Sequence, residues 1–213
     1  MFSKENYLVE EIRLETNIKK ELAITFAALL VCALFFGLPF YFIWQERVYG
    51  FVNLISAHGE TIFAMARFGR VFAFVLQAAA MLLVIAVLTL IHELVHGLIY
   101  GMFADSKFKA IKMGFLPKSL TAYCICQEEL QMKHSKKGLL APLLFMGIIP
   151  LILSMVIGNV VLFLLGMFTI LASIGDMTIF WQFLKFPNDS WVHERISKDK
   201  ELLMTVYRPM KTK

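Results

Sequence analysis

The run VFAFVLQAAAMLLVIAVLTLIHELVHG, Val71–Gly97, decides both the fold class and the chemistry. From Val71 to Ile91 its only polar side chains are Gln77 and Thr89. A bilayer crossing takes roughly 20 apolar residues at about 1.5 Å of helical rise each, so this stretch is long enough to span. It then passes directly into His92-Glu93-Leu94-Val95-His96. Ionisable groups are costly near hydrocarbon and usually functional, so the end of this span is also a candidate site.

Three more stretches of similar length lie on either side. Leu22–Trp44 has no charge, Leu139–Ile157 has one serine, and Val160–Leu184 has a single ionisable group, Asp176. Gly158 and Asn159 between the last two form a turn pair that predicts an antiparallel helical hairpin. Composition agrees: 59% of the residues are hydrophobic and 17% charged, against about 45–50% and about 25% in soluble domains. An ordinary soluble enzyme is excluded, and so is disorder, because so apolar a chain has abundant surface to bury. The first span is too long for a signal-peptide core and is followed by Phe-Tyr-Phe-Ile-Trp rather than small residues, so it is expected to stay as an anchor.

The net charge of +5 is read as membrane topology rather than as a nucleic-acid surface. Lys and Arg number 18 in the N-terminal segment, the Ala104–Gly138 loop and the tail after Leu184, against 3 in the Gln45–Arg70 loop. With four spans the first three of these regions share one side. The positive-inside rule then makes that side, and both termini, cytoplasmic.

The expected fold is an all-α integral membrane protein of four transmembrane helices, a single membrane-embedded domain over residues 1–213, in the cell membrane. Residues 1–21 form a cytoplasmic segment, the spans are 22–44, 71–91 (continuing to about 103), 139–157 and 160–184, and 185–213 is a cytoplasmic tail. Between the second and third spans, Phe108–Phe115 and Leu120–Cys126 are two β-prone runs that predict a small cytoplasmic hairpin. Leu202–Tyr207 reads either as a strand or as the end of a helix. In the outer loop, Ile62, Phe63, Met65 and Phe68 have a loosely helical spacing that suits an interfacial helix. Cys32 lies in a span and Cys124 and Cys126 in the cytoplasmic loop, so no disulfide framework is expected. A lone Cys-x-Cys pair is read as packing rather than as a metal site.

His92 and His96, at i and i+4, lie about 40° apart on a helix and can present imidazole nitrogens to one ion. Glu93, the next residue, is placed to take a proton from a water that the ion activates and to return it to a leaving amine. This is the physical content of the H-E-x-x-H pattern. The competing reading is a helix end that has left the hydrocarbon and simply faces water. A third ligand is needed if one position is to stay open for water. Asp176 fits: it is the only acid in the four spans, it follows the small residues Ala172, Ser173 and Gly175, and it lies about 24 Å from Val160, on the cytoplasmic side where the histidines sit. The alternative for Asp176 is a buried carboxylate paired with a lysine or a backbone amide. Two histidines and a carboxylate favour zinc over magnesium or calcium, one ion per chain.

His92-Glu93-Leu94-Val95-His96-Gly97, a cytoplasmic loop, Ala141-Pro142 at the start of the next span, and Gly175-Asp176 together resemble a bacterial domain of unknown function described as zincin peptidases. The likeness covers about Leu76 to Met204. More distantly, the arrangement is similar to the site-2 protease type of intramembrane metalloprotease, in which metal histidines and a later aspartate come from separate transmembrane helices. Around the aspartate this chain reads Ile174-Gly175-Asp176-Met177 instead of that type's Asn-Pro-Asp-Gly or Leu-Asp-Gly. The resemblance implies a zinc-dependent membrane peptidase acting on a membrane protein or peptide, with Glu93 catalytic and His92, His96 and Asp176 as ligands. The alternative is a membrane adaptor with a structural metal site or none. A transporter fits less well, because four spans leave little room for a path and no internal repeat is visible.

Overall fold

The computed structural model describes residues 7–13, 18–65, 69–116, 121–197 and 202–210. The chain runs through strand β1 (Tyr7–Arg13) into helix α1 (Ile18–Cys32), a π-helical turn (Ala33–Gly37) and α2 (Leu38–Met65). Then come α3 (Arg70–Phe103), a 3-10 turn (Lys107–Ala110), and strands β2 (Ile111–Leu116), β3 (Thr121–Cys126) and β4 (Leu130–Gln131). Helix α4 (Met132–Pro142) continues through a π-helical turn (Leu143–Ile148) into α5 (Ile149–Ile157). Helices α6 (Val160–Ala172) and α7 (Ile174–Phe183) follow, and β5 (Trp191–Ile196) and β6 (Leu202–Pro209) complete the fold.

Three helical runs are long and apolar enough to cross a membrane: Ala23–Glu60, Val71–Phe103 and Met132–Ile157. The bent pair α6–α7 brings the number to four if it counts as one span. The stretch read as one straight span, Val160–Leu184, is therefore broken. Its two helices meet at 46° at Ser173, which is fully buried. The break places Asp176 in the first turn of α7, where the helix dipole favours negative charge. The first span also differs from expectation: its helix does not stop at Trp44 but kinks there (φ −119°, ψ 28°) and continues to Met65. The side chains of Ile62, Phe63, Met65 and Phe68, expected on an interfacial helix, lie outside the described residues.

The end of the bundle away from the histidines is pinned at that kink. Gly158 closes α5 at φ 68°, a left-handed conformation that glycine adopts without strain. The Trp44 ring lies where a side chain at Gly158 would stand, and its indole N–H donates to the Met155 carbonyl at 3.0 Å. Asn159 caps α6, its side-chain oxygen accepting from the Leu162 amide at 2.9 Å. Below this turn Phe40 stacks on Phe163 with centroids 4.2 Å apart, joining the first span to α6.

The opposite end carries more strand than an all-α protein with one hairpin. The β2–β3 hairpin is present, with Ile111 opposite Cys126 and Leu116 opposite Thr121. Leu202–Tyr207 is strand, the core of β6. A second, four-stranded antiparallel sheet in the order β1-β6-β5-β4 was not expected. It pairs the two ends of the chain, with Tyr7 opposite Pro209 and Arg13 opposite Leu203. Its inner face packs Val192, Met204 and Val206 against Tyr100, Met132 and Phe183. This core clamps the ends of α3, α4 and α7 together and fixes the level of the site.

Candidate metal centre

The site is assembled from α3 and α7, with α4 behind it. Residues four apart on a helix share a face. His92 and His96 both point inward from α3 and are 7% and 4% exposed, while Leu94 and Leu98 on the opposite side are open to the surroundings. The 46° bend before α7 turns Asp176 toward them. The His92 Nε2 lies 3.0 Å from Asp176 Oδ2, the His96 Nε2 lies 3.4 Å from the same oxygen, and the two Nε2 atoms are 3.3 Å apart. Ligand atoms of all three residues fall within 4.8 Å of one another.

These distances fit a small divalent ion. Ligands about 2.0–2.1 Å from a tetrahedral zinc stand about 3.3 Å from each other. The chemistry of the donor set agrees. The His96 Nδ1–H donates to the Gly138 carbonyl at 2.9 Å, which leaves its Nε2 as a lone pair aimed at the cluster. The three acceptor groups converge on one point, where either a proton on His92 Nε2, donated to Asp176 Oδ2, or a cation holds them together. A ligating histidine is normally oriented by an acceptor on its other nitrogen, and Gly138 provides that acceptor for His96. The Nδ1 of His92 is buried and has no hydrogen-bond partner among the described residues.

A family model described as "Putative zincin peptidase" matches residues 85–191, half of the chain. The chain belongs to this family. No curated protein and no solved structure matches it. The zincin match begins within α3 before the histidines and ends at the first residue of β5, so it takes in His92, Glu93, His96, Gly138 and Asp176.

Glu93, half-buried on α3, lies beside His92. The hairpin flanks it. A Cβ on Gly97 would stand 3.1 Å from Cys124 Sγ and 3.2 Å from Ile111 Cγ2, so the absence of a side chain there lets β2–β3 lie directly on α3. Burial, with the charges of Glu93 and Glu194 nearby, pushes the Cys124 thiol up to about 12, and burial pushes Cys126 up to about 11. Both cysteines are buried, Cys124 against α3 and Cys126 in the core with Tyr100 and Val192.

Three groups of this site had no sequence reading. The Gly138 carbonyl is a backbone group, which no side-chain pattern signals. Tyr100, one turn past His96, stacks on it with centroids 6.1 Å apart and an interplanar angle of 15°, and it also packs where a Gly138 side chain would stand. Glu194 is buried on the inner face of β5, opposite Met204. The signal for Glu194 was available: in Trp191-Val192-His193-Glu194 the strand period of two places it on the same face as Val192.

Proposed function

We propose that the chain is a zinc-dependent integral membrane peptidase in which His92, His96 and Asp176 hold the ion and Glu93 handles the proton. The observation that carries this reading is the convergence of three ligand atoms from two separate helices, with the H-E-x-x-H glutamate beside them. Zinc at this position supplies Lewis-acid activation of a water and of the scissile carbonyl. The remaining steps belong to the chain's own residues. Glu93 accepts a proton from the attacking water and delivers it to the leaving amine. Gly138 holds the His96 ring in one tautomer and one orientation. The spans that bury the site restrict bulk water around it, which strengthens every charge interaction there.

The substrate is a membrane protein or peptide presented as an extended segment, because a helix has no free backbone groups at the scissile bond. The β2–β3 hairpin beside Glu93 offers strand edges with which such a segment can pair. The 18-to-3 bias in basic residues places both termini and the hairpin on the cytoplasmic side of the cell membrane. Pairing of β1 with β6 supports the part of this reading that puts the N-terminal and C-terminal strands on one side.

The test compares the membrane proteomes of cells carrying the wild-type chain and the Glu93→Gln variant. Fragments that form only with the wild-type chain support the proposal. Identical fragment sets, with both proteins equally abundant and zinc-loaded, would overturn it.

A further inference from the structure

The exposed apolar stripe of α3 does not end with the helix. Leu94, Leu98 and Met102, spaced by four on the side turned away from the metal centre, are 51%, 53% and 56% exposed. After α3 stops at Phe103, the chain turns through Asp105 and Ser106 and reaches Lys107 at φ 55°. A lysine is strained in this left-handed conformation, which persists only where the surrounding structure enforces it. The turn folds Phe108 back onto the helix, its ring lying where a side chain at Gly101 would stand. One face of the ring rests on α3, yet Phe108 is 58% exposed. The stripe is thus extended by an aromatic ring, a side chain that collects where hydrocarbon meets headgroups.

Charge brackets that ring. Lys107 and Lys109 flank Phe108, both are exposed, and neither ammonium has a hydrogen bond or ion pair among the described residues. With Asp105, Ser106 and Phe108 they line an open recess of about 540 Å³. Long lysine side chains keep their stems on apolar surface and raise the ammonium to headgroup level. Two acids are close. Glu128 is engaged, its Oε2 accepting from the Ser106 amide at 3.1 Å, whereas Asp105 belongs to the lining. The recess therefore offers two ammonium groups and one carboxylate, an excess of one positive charge.

We propose that this turn binds an anionic phospholipid headgroup of the phosphatidylglycerol type: Phe108 enters the acyl boundary, Lys107 and Lys109 hold the phosphate, and Asp105 accepts from a headgroup hydroxyl. The occupant follows from the lining. A phosphate diester complements the two ammonium groups, and its acyl chains continue along Leu98 and Met102. The carboxylate needs a donor, which a glycerol headgroup supplies and a choline headgroup does not. An ethanolamine headgroup reaches the carboxylate too, but as a neutral lipid it leaves the excess positive charge uncompensated. This inference goes beyond the peptidase reading and is independent of it, needing only that α3 lies in a membrane.

The experiment titrates the full-length protein, in a neutral detergent, with phosphatidylglycerol, phosphatidylethanolamine and phosphatidylcholine carrying the same fluorescent acyl chain, and reads anisotropy. Phosphatidylglycerol should bind about 30-fold tighter than phosphatidylcholine, at about fivefold for each basic residue near a membrane surface. Lys107→Gln with Lys109→Gln should lose most of that preference. The same neutralisation at Lys133 and Lys137, exposed lysines of α4, should keep it. If the first pair lowers the melting temperature, Lys109→Gln alone decides, with an expected loss of about fivefold. Equal affinity for phosphatidylglycerol and either other lipid would overturn the proposal. An equal loss in the two double variants would overturn it as well, since the preference would then come from diffuse charge. So would displacement of phosphatidylglycerol by inorganic phosphate at the same concentration, which would mark a site for free anions.

Discussion

The His92 Nε2 and the Asp176 Oδ2 lie 3.0 Å apart although 84 positions separate them in the chain. One comes from the middle of an unbroken helix of 34 residues, the other from the first turn after a 46° break. Their proximity therefore depends on tertiary packing, and that makes the donor set testable residue by residue. Purified wild-type protein should carry about one zinc per chain by elemental analysis. Asp176→Asn, or His92→Ala with His96→Ala, should carry less than about a tenth of that. Chelation should lower the melting temperature of the wild-type protein alone, since an ion present at about a thousand times its Kd adds about 4 kcal/mol to stability. Equal zinc content in all variants would contradict the assignment.

Gly138 should tolerate no side chain. Its carbonyl orients His96, and the Tyr100 ring fills the space a Cβ would need. Gly138→Ala should cost about 1–3 kcal/mol by overpacking and weaken zinc binding about 10–100-fold through the displaced acceptor. Adding Tyr100→Ala should recover part of the zinc affinity. A Gly138→Ala protein with wild-type zinc affinity and melting temperature would show that the contact is unimportant.

Glu194 should make stability depend on pH. Burial raises its carboxyl from 4.5 to about 7, partly offset by the Cys126 amide and by His96, with Asp176 acting in the same sense as burial. Tyr100, Cys124 and Cys126 are the other titratable groups that feel its charge. Between pH 4.5 and about 7 the folded protein holds a proton that the unfolded chain has released, so stability falls as pH rises through this window. The loss is about 3 kcal/mol at most. The melting temperature of the metal-free wild-type protein, measured against metal-free Glu194→Gln, should fall by several degrees from pH 5 to pH 8. Parallel curves for the two proteins would refute this.

The orientation is open to direct labelling. In a background with Cys32, Cys124 and Cys126 replaced by serine, single cysteines at Lys4 and Lys211 should resist an impermeant thiol reagent in intact cells and react after permeabilisation. A cysteine at His58 should react in both. The reverse pattern would invert the topology.

The clustering of His92, His96 and Asp176 was legible because hydrocarbon makes exceptions conspicuous: Asp176 is the only acid in four apolar stretches, and the two histidines carry a known spacing. The hairpin was legible from its local β-prone runs. The four-stranded sheet was not, because β1 and β6 find each other from opposite ends of the chain and β4 has only two residues. The break at Ser173 was hidden because an apolar helix and a bent pair of apolar helices have the same composition. Glu194 escaped because Trp191–Ile196 carried no strand reading, and without one its two-residue alternation with Val192 has no meaning.

The central claim is that Glu93 works as the proton carrier beside an ion held by His92, His96 and Asp176. Its most direct test is a side-by-side measurement of zinc content and β-casein cleavage for wild-type and Glu93→Gln proteins. The account predicts about one zinc per chain in both, with the cleavage rate of Glu93→Gln lower by about 10²–10⁴-fold. Equal cleavage by the two zinc-loaded proteins would contradict it.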